Sequence, residues 1–395
     1  MSDAHLTGVL SESASRLDAW LERHDYAAYD PFDGLSSWVR PLAVTPLSRQ
    51  VLQQGVRRFP WNLRPLLGVK PATSTKGVGY LARAYLKLYG LGGDLRHLAV
   101  AEGCLAWLLE SASPGYSGLC WGNHFDYQSR VFYLPKGEPT VVWTALIAHA
   151  FLDAWEATGK AEYADAATSV AEFILTDLER RPEGEGTCIS YIPSSYRCVH
   201  NASMLAAAAL ARTSAVGGDR RLHDVAAAAI AYTVGCQRDD GSWWYGEAEN
   251  LHWVDNFHTG YVLDSLWHFM RASGDDTYRD AFARGAGFFT AHFFLADGTP
   301  RYYWDRTWPV DIQCAAQAIE TLVAIAQAHG DDRALSRARQ VAVWTIENMQ
   351  DADGYFYFQR WPLVVNKTPM LHWGQATMLH ALAVLLEKES NADED

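Results

Sequence analysis

The feature that most constrains this chain is an internal repeat with a period of about 55–65 residues. Five glycine-containing breaks carry it: Gly90-Leu91-Gly92-Gly93-Asp94, Thr158-Gly159-Lys160, Gly217-Gly218-Asp219, Gly274-Asp275-Asp276 and Gly330-Asp331-Asp332. Glycine fits the left-handed position that ends a helix, and a following Asp caps the next one, so each break reads as a tight turn between two helices. The helices before the breaks begin near Thr75, Thr140, Asn201, Asn256 and Ile312, and a sixth begins near Trp373. Several of them, such as Val141 to Ala148 and Met204 to Leu210, are apolar or small nearly all round, the pattern of a helix buried on every side. The helices after the breaks, such as Tyr163 to Leu178 and Leu222 to Cys236, are amphipathic. Six inner helices ringed by six outer ones make an all-α, (α/α)6 toroid occupying residues 1–395 as one domain. A helix over residues 8–24, amphipathic from Leu10 to Leu21, completes the outer ring, and the acidic tail 387–395 is expected to fray.

Net charge and cysteine spacing narrow the function classes. A formal charge of −13 excludes a general nucleic-acid binder, which needs a basic footprint. No run approaches the length of apolar residues that a membrane span requires, and the first ten residues lack a basic region followed by an apolar run, so a cytoplasmic protein is expected. The six cysteines, Cys104, Cys120, Cys188, Cys198, Cys236 and Cys314, show no CxxC spacing. Reduced, mostly buried thiols are expected, with no metal and no cofactor.

In such a toroid the turns from inner to outer helix are short and the loops returning inward are long, so the long loops share one face, where function concentrates. The inner helices also aim their N-terminal ends there, which favours anions. Three loops open alike, at Asp240-Gly241, Asp297-Gly298 and Asp353-Gly354, and each turn is followed by aromatic residues. Polar and aromatic residues recur at the inner-helix starts: Trp121, His124, Asp126, Tyr127 and Arg130; Tyr196, Arg197, His200 and Asn201; Trp244, Glu247, Trp253, Asp255, Asn256, His258 and Tyr261; Trp304 and Arg306; Arg360, His372 and Gln375. Trp121, Tyr127, Trp244, Trp253 and Trp304 are expected to line one sugar-stacking pocket. Asp255 and Asp311 also read as caps for the helices behind them. The densest cluster runs from Glu249 to Tyr261, where His258 and Tyr261 share a helix face and His258 can move protons near neutrality.

With these residues in view, the chain resembles the six-hairpin glycosidase superfamily of (α/α)6 toroids over nearly its whole length. Leu371-His372-Trp373-Gly374-Gln375-Ala376 is similar to the closing inner helix of sugar epimerases and unsaturated-uronate hydrolases. Trp253 to Tyr261 is similar to a helix start in the helical domain of uronyl carbon-5 epimerases, and the whole resembles toroid proteins associated with polysaccharide synthesis. No complete hydrolase signature is present. A second resemblance, of Gln237-Arg238-Asp239-Asp240-Gly241-Ser242-Trp243 to the repeat of terpenoid cyclases and prenyltransferases, lacks the Asp-rich motif those enzymes need.

The resemblance implies a carbohydrate-active enzyme with a saccharide substrate. Two chemistries remain open. Proton abstraction beside a uronate carboxylate, giving epimerisation or elimination, would use His258, Tyr261, His200 or His372, with Arg130, Arg197 or Arg306 on the carboxylate. Hydrolysis would draw two carboxylates from Asp126, Glu247 and Asp255. A saccharide-binding scaffold without catalysis would keep only the aromatics.

Overall fold

The computed structural model describes residues 3–129 and 132–392. It is 61% helical. Helix α1 (Asp3–Arg23) is followed by an irregular strap, residues 24–74, holding α2 (Pro46–Arg58). Five hairpins follow: α3 (Thr75–Gly92) with α4 (Leu95–Glu110), α5 (Val141–Thr158) with α6 (Ala161–Thr176), α7 (His200–Gly217) with α8 (Arg220–Gly235), α9 (Asn256–Ser273) with α10 (Arg279–His292), and α11 (Ile312–His329) with α12 (Asp332–Met349). A π-helical turn, Leu371–Gln375, leads into α13 (Ala376–Ala392).

The odd-numbered helices from α3 to α13 pack side by side, and α13 returns to α3, so the inner ring closes. Helix α1 packs on α12 and α13 as an outer helix. Each inner helix from α3 to α11 ends on a glycine with φ between 62° and 72°, namely Gly93, Gly159, Gly218, Gly274 and Gly330. A side chain there would be strained, and this is why the breaks are visible in the sequence. Ser74, Thr140, Asp255 and Asp311 cap the helix starts by accepting a backbone N–H. The acidic stretch after Leu386 does not begin by fraying: α13 continues to Ala392, with Glu387 paired to Lys87 and Glu389 to Arg339.

The long loops form short antiparallel pairs and no central sheet: β1 (Tyr127–Gln128) with β2 (Tyr133–Leu134), β3 (Arg180–Glu183) with β4 (Gly186–Ile189), and β5 (Val310–Asp311) with β6 (Gln359–Arg360), itself paired with β7 (Val365–Asn366). One backbone bond repeats around the ring. The first residues of successive inner helices donate to an aromatic carbonyl in the neighbouring loop: Val141 to Tyr191, His200 to Tyr245, Asn256 to Tyr302, Ile312 to Phe358 and Leu371 to Tyr29. The stitch places an aromatic residue beside each helix start.

The cysteine expectation is corrected in one place. Cys188 and Cys198 form a disulfide across a separation of 10 residues, tying β4 to the segment that enters α7. Cys104, Cys120, Cys236 and Cys314 remain free. Among the described residues, no helix is long and apolar enough to cross a membrane.

Candidate active site at the inner-helix starts

Two histidines stand at this mouth on different inner helices, each beside a carboxylate. On α9, the capping Asp255 accepts from the His258 backbone N–H at 3.0 Å and lies 2.7 Å from His258 Nδ1 through Oδ2. The Trp253 indole also donates to that oxygen, at 3.0 Å, so Asp255 is fixed from two sides. His258 keeps about a fifth of its side chain exposed (22%), and Asp255 almost none (1%). On the turn before α13, the buried His372 and Asp30 approach as an ion pair, Nδ1 to Oδ2 at 2.5 Å, and neither His372 ring nitrogen makes a hydrogen bond of regular geometry. Burial alone would push the Asp30 carboxyl up, but the charges of His372 and His124 hold it below its ordinary range. Burial keeps His372 below the ordinary imidazole value despite Asp30, and the same holds for His124. The rings of Phe257 and Trp373, each the sequence neighbour of one of these histidines, lie 5.3 Å apart.

Below them the barrel axis is polar. Lys76 Nζ donates to the Tyr261 hydroxyl at 3.3 Å, Gln313 Nε2 donates to it at 3.2 Å, and Tyr80 lies 3.4 Å away. Burial pushes Lys76 down to about 8, against the charges of Asp30 and Glu320. Burial likewise pushes the Tyr261 phenol up, so it is a proton-holding donor at neutral pH. Arg57, from the strap, lies over the rings of Phe32 (4.6 Å) and Trp373 (5.7 Å) and bonds Tyr302. A guanidinium in aromatic walls is a fit receptor for a carboxylate.

The remaining expected residues divide. His124 joins the Asp30–His372 group, and Tyr127 packs edge-on to Phe32 at 5.2 Å. His200, Asn201, Trp244 and Trp253 share with His258 a cavity of only about 10 Å³. His200 Nε2 is taken by Glu247 at 2.8 Å, and half-exposed Glu247 faces outward. Asn256 is buried and unpartnered at its side chain. Cys236 brings its sulfur within 4.8 Å of the His200 and Glu247 donor atoms, a possible metal spacing. Burial pushes that thiol up to about 11.

Several expectations fail for packing reasons. Trp121 is fully buried, its indole donating to Leu108 O at 2.8 Å, so it is core. Trp243 does the same to Thr233 O. Trp304 lies outside, beside His292 and Phe288, so the five expected aromatics do not share one pocket. Gln375 clamps the Phe356 backbone through both its oxygen and its nitrogen. Arg360 reaches Asn348 O, Tyr196 bonds Glu183, and Arg306 pairs with Asp305 at the surface. Arg197 stays half-buried, with a buried and unpartnered Nε. Asp126 is held by Lys136 N and by Arg40 of the strap. Arg130 lies outside the described residues. The sequence reading missed Asp30, Arg57 and Lys76. Asp30 and Arg57 belong to the strap, which has no repeat, and Lys76 is one cation in an otherwise buried helix turn.

The opposite mouth holds a cavity of about 320 Å³. Its charges are largely matched: Arg83 and Arg212 both pair with Asp153, Arg212 with Glu156, and Lys87 with Glu387.

No protein-family model and no curated protein matches the chain. Solved structures do. A heparin-specific unsaturated glucuronyl hydrolase superposes with a TM-score of 0.65 at 13% identity, covering 98% of this chain and 99% of that one. A glycoside hydrolase family 76 mannosidase from Bacteroides thetaiotaomicron gives 0.65 at 10% identity, covering 98% and 100%. The cellobiose 2-epimerase of Bacillus thermoamylovorans gives 0.63 at 14%, covering 81% and 88%. The fold is the (α/α)6 toroid. Within that toroid, the His–Asp groups sit at the starts of the fourth and sixth inner helices.

Proposed function

We propose that this chain is a carbohydrate-active enzyme of saccharide metabolism that moves protons at a uronate-containing sugar, as an epimerase or lyase. What supports the reading is the presence of two histidines, His258 and His372, each oriented by a buried carboxylate and held on different inner helices of one mouth. An imidazole fixed through Nδ1 presents Nε2 to substrate as acid or base. Asp255 and Asp30 are the positioning residues, Tyr261 is a proton donor, and Arg57 binds the sugar carboxylate in place of the arginines expected from the sequence. Residues 1–395 act together as one domain in this reading.

Hydrolysis is the weaker alternative because it needs a pair of available carboxylates about 5–10 Å apart across the glycosidic bond. Asp255 is committed to His258 and Trp253, Asp126 to the strap, and Glu247 to His200. The cytoplasmic expectation is weakened by the Cys188–Cys198 bond, since disulfides persist in oxidising compartments. The deciding experiment is incubation with uronate-containing glycans in deuterated water. Deuterium gained at ring carbon without chain cleavage, or elimination to an unsaturated sugar, is the expected outcome; cleavage to a saturated reducing end with no exchange rejects the reading.

A further inference from the structure

The strap that crosses the mouth has an outer surface unlike the rest of the molecule. From Gly34 to Ser74 it carries no carboxylate and six cations, Arg40, Arg49, Arg57, Arg58, Arg64 and Lys70, of which Arg58 and Lys70 are exposed and Arg64 is buried against Asp33, in a chain whose net charge is −13. Large apolar side chains project from it into solvent. Leu42 is 78% exposed, Leu66 77%, Trp61 70%, Leu47 70% and Trp38 67%. On α2 the outward stripe is Leu47, Val51, Gly55 and Arg58, four exposed positions spaced at about one helical turn each. The Trp38 indole donates to Leu66 O, and the Phe59 and Trp61 rings meet edge-on at 5.6 Å, so the strap's prongs are tied in pairs. The turn between β6 and β7 joins them: Asn366 donates to Phe59 O, and Leu363 at that turn is 95% exposed.

We propose that this face docks on an anionic lipid bilayer. The charge argues for it: a segment that has no carboxylate of its own and adds exposed Arg58 and Lys70 to its apolar prongs is complementary to a negatively charged headgroup layer. The shape argues the same way. The apolar groups are separate tips on turns and on one amphipathic helix, which enter the headgroup boundary singly, and Trp is the residue that settles there. A protein–protein interface is built instead around a packed core. The strap also contributes Asp30 and Arg57 to the mouth, so docking brings the catalytic end of the barrel to the bilayer and suits a lipid-linked or membrane-retained glycan. That last step rests on the proposed function; the docking does not.

The test is co-sedimentation of the whole chain with phosphatidylcholine vesicles containing about one-third phosphatidylglycerol, and with phosphatidylcholine vesicles alone. The expected result is binding to the anionic vesicles that falls with salt, little binding to the neutral ones, and at least about tenfold weaker binding for Leu47→Glu/Val51→Glu and for Leu363→Glu. These positions are exposed, so unchanged melting temperatures confirm that the variants fold. Failure of the native chain to bind anionic vesicles, equal binding to both vesicle types, or unaltered binding by the variants overturns the proposal. So does a native dimer in sedimentation velocity that Leu47→Glu/Val51→Glu converts to monomer, which would assign the face to a second copy. Vesicle binding without the deuterium exchange described above would leave the docking standing and remove the chemistry.

Discussion

Asp255 does two things with one carboxylate. It caps α9 through the His258 N–H and orients the His258 ring. The sequence discloses the first role, because a capping Asp before an apolar helix is a local pattern; the second needs only the three-residue spacing that follows from it. His258→Ala is expected to lower turnover about 10²–10⁴-fold while the fold stays intact. Paired measurement of rate and melting temperature checks this, and a variant that melts early yet turns over normally removes His258 from the mechanism. Lys76 gives a prediction with a pH sign. Its folded value, about 8, lies below the ordinary 10.5, so the folded chain binds fewer protons than the unfolded one between those pH values and stability rises with pH across that window. Below pH 8 the buried cation leaves a constant penalty of about 3 kcal/mol. Lys76→Met is therefore expected to melt higher than the native chain at pH 7, with the advantage fading between pH 8 and 10.5; a lower melting temperature at pH 7 contradicts this.

The helices were legible because their boundaries are chemical. Glycine at a left-handed terminus and Asp or Ser at a cap are required locally, so Thr75, Asn256 and Ile312 are helix starts in the sequence and in the structure alike. Aromatic residues in the loops were not legible in the same way. Trp243 and Trp244 are neighbours, yet one donates its indole to the Thr233 carbonyl in the core and the other lies under the Arg238 guanidinium at 4.1 Å, a choice made by the strand-like alternation of the loop and by what packs behind it. The Asp-Gly turns prove to be braces as well. Gln237 Nε2 bonds both Gly241 O and Ala281 O, and Gln350 Nε2 bonds both Gly354 O and Ser13 O, so each glutamine fastens a loop to the next outer helix. This accounts for the likeness to the cyclase repeat without any cyclase chemistry. The Cys188–Cys198 link was invisible because spacing alone does not pair two cysteines. Cys198→Ser is expected to cost about 2–4 kcal/mol, read as a lower denaturation midpoint, and reductant should reproduce that loss in the native chain and change nothing in the variant.

At the scale of the molecule, the repeat reveals a ring and conceals how the ring is roofed. The strap has no copy elsewhere in the chain, its apolar residues follow no helical period outside α2, and its buried charges, Asp33 with Arg64 and Asp30 with His372, pair across 31 and 342 positions respectively. The second pair forms only once the toroid brings the strap against the turn before α13. The closing contacts show what that demands: Ser13 bonds Gln350, Arg16 bonds Asp351 O, and α13 slots between α11 and α3. During synthesis the flank of α3 is made long before α13, the helix that covers it, and waits uncovered until α13 follows. A nascent chain of this kind keeps an apolar flank open until α13 is made, so its yield in the cell depends on holdase chaperones as well as on the stability of the finished ring.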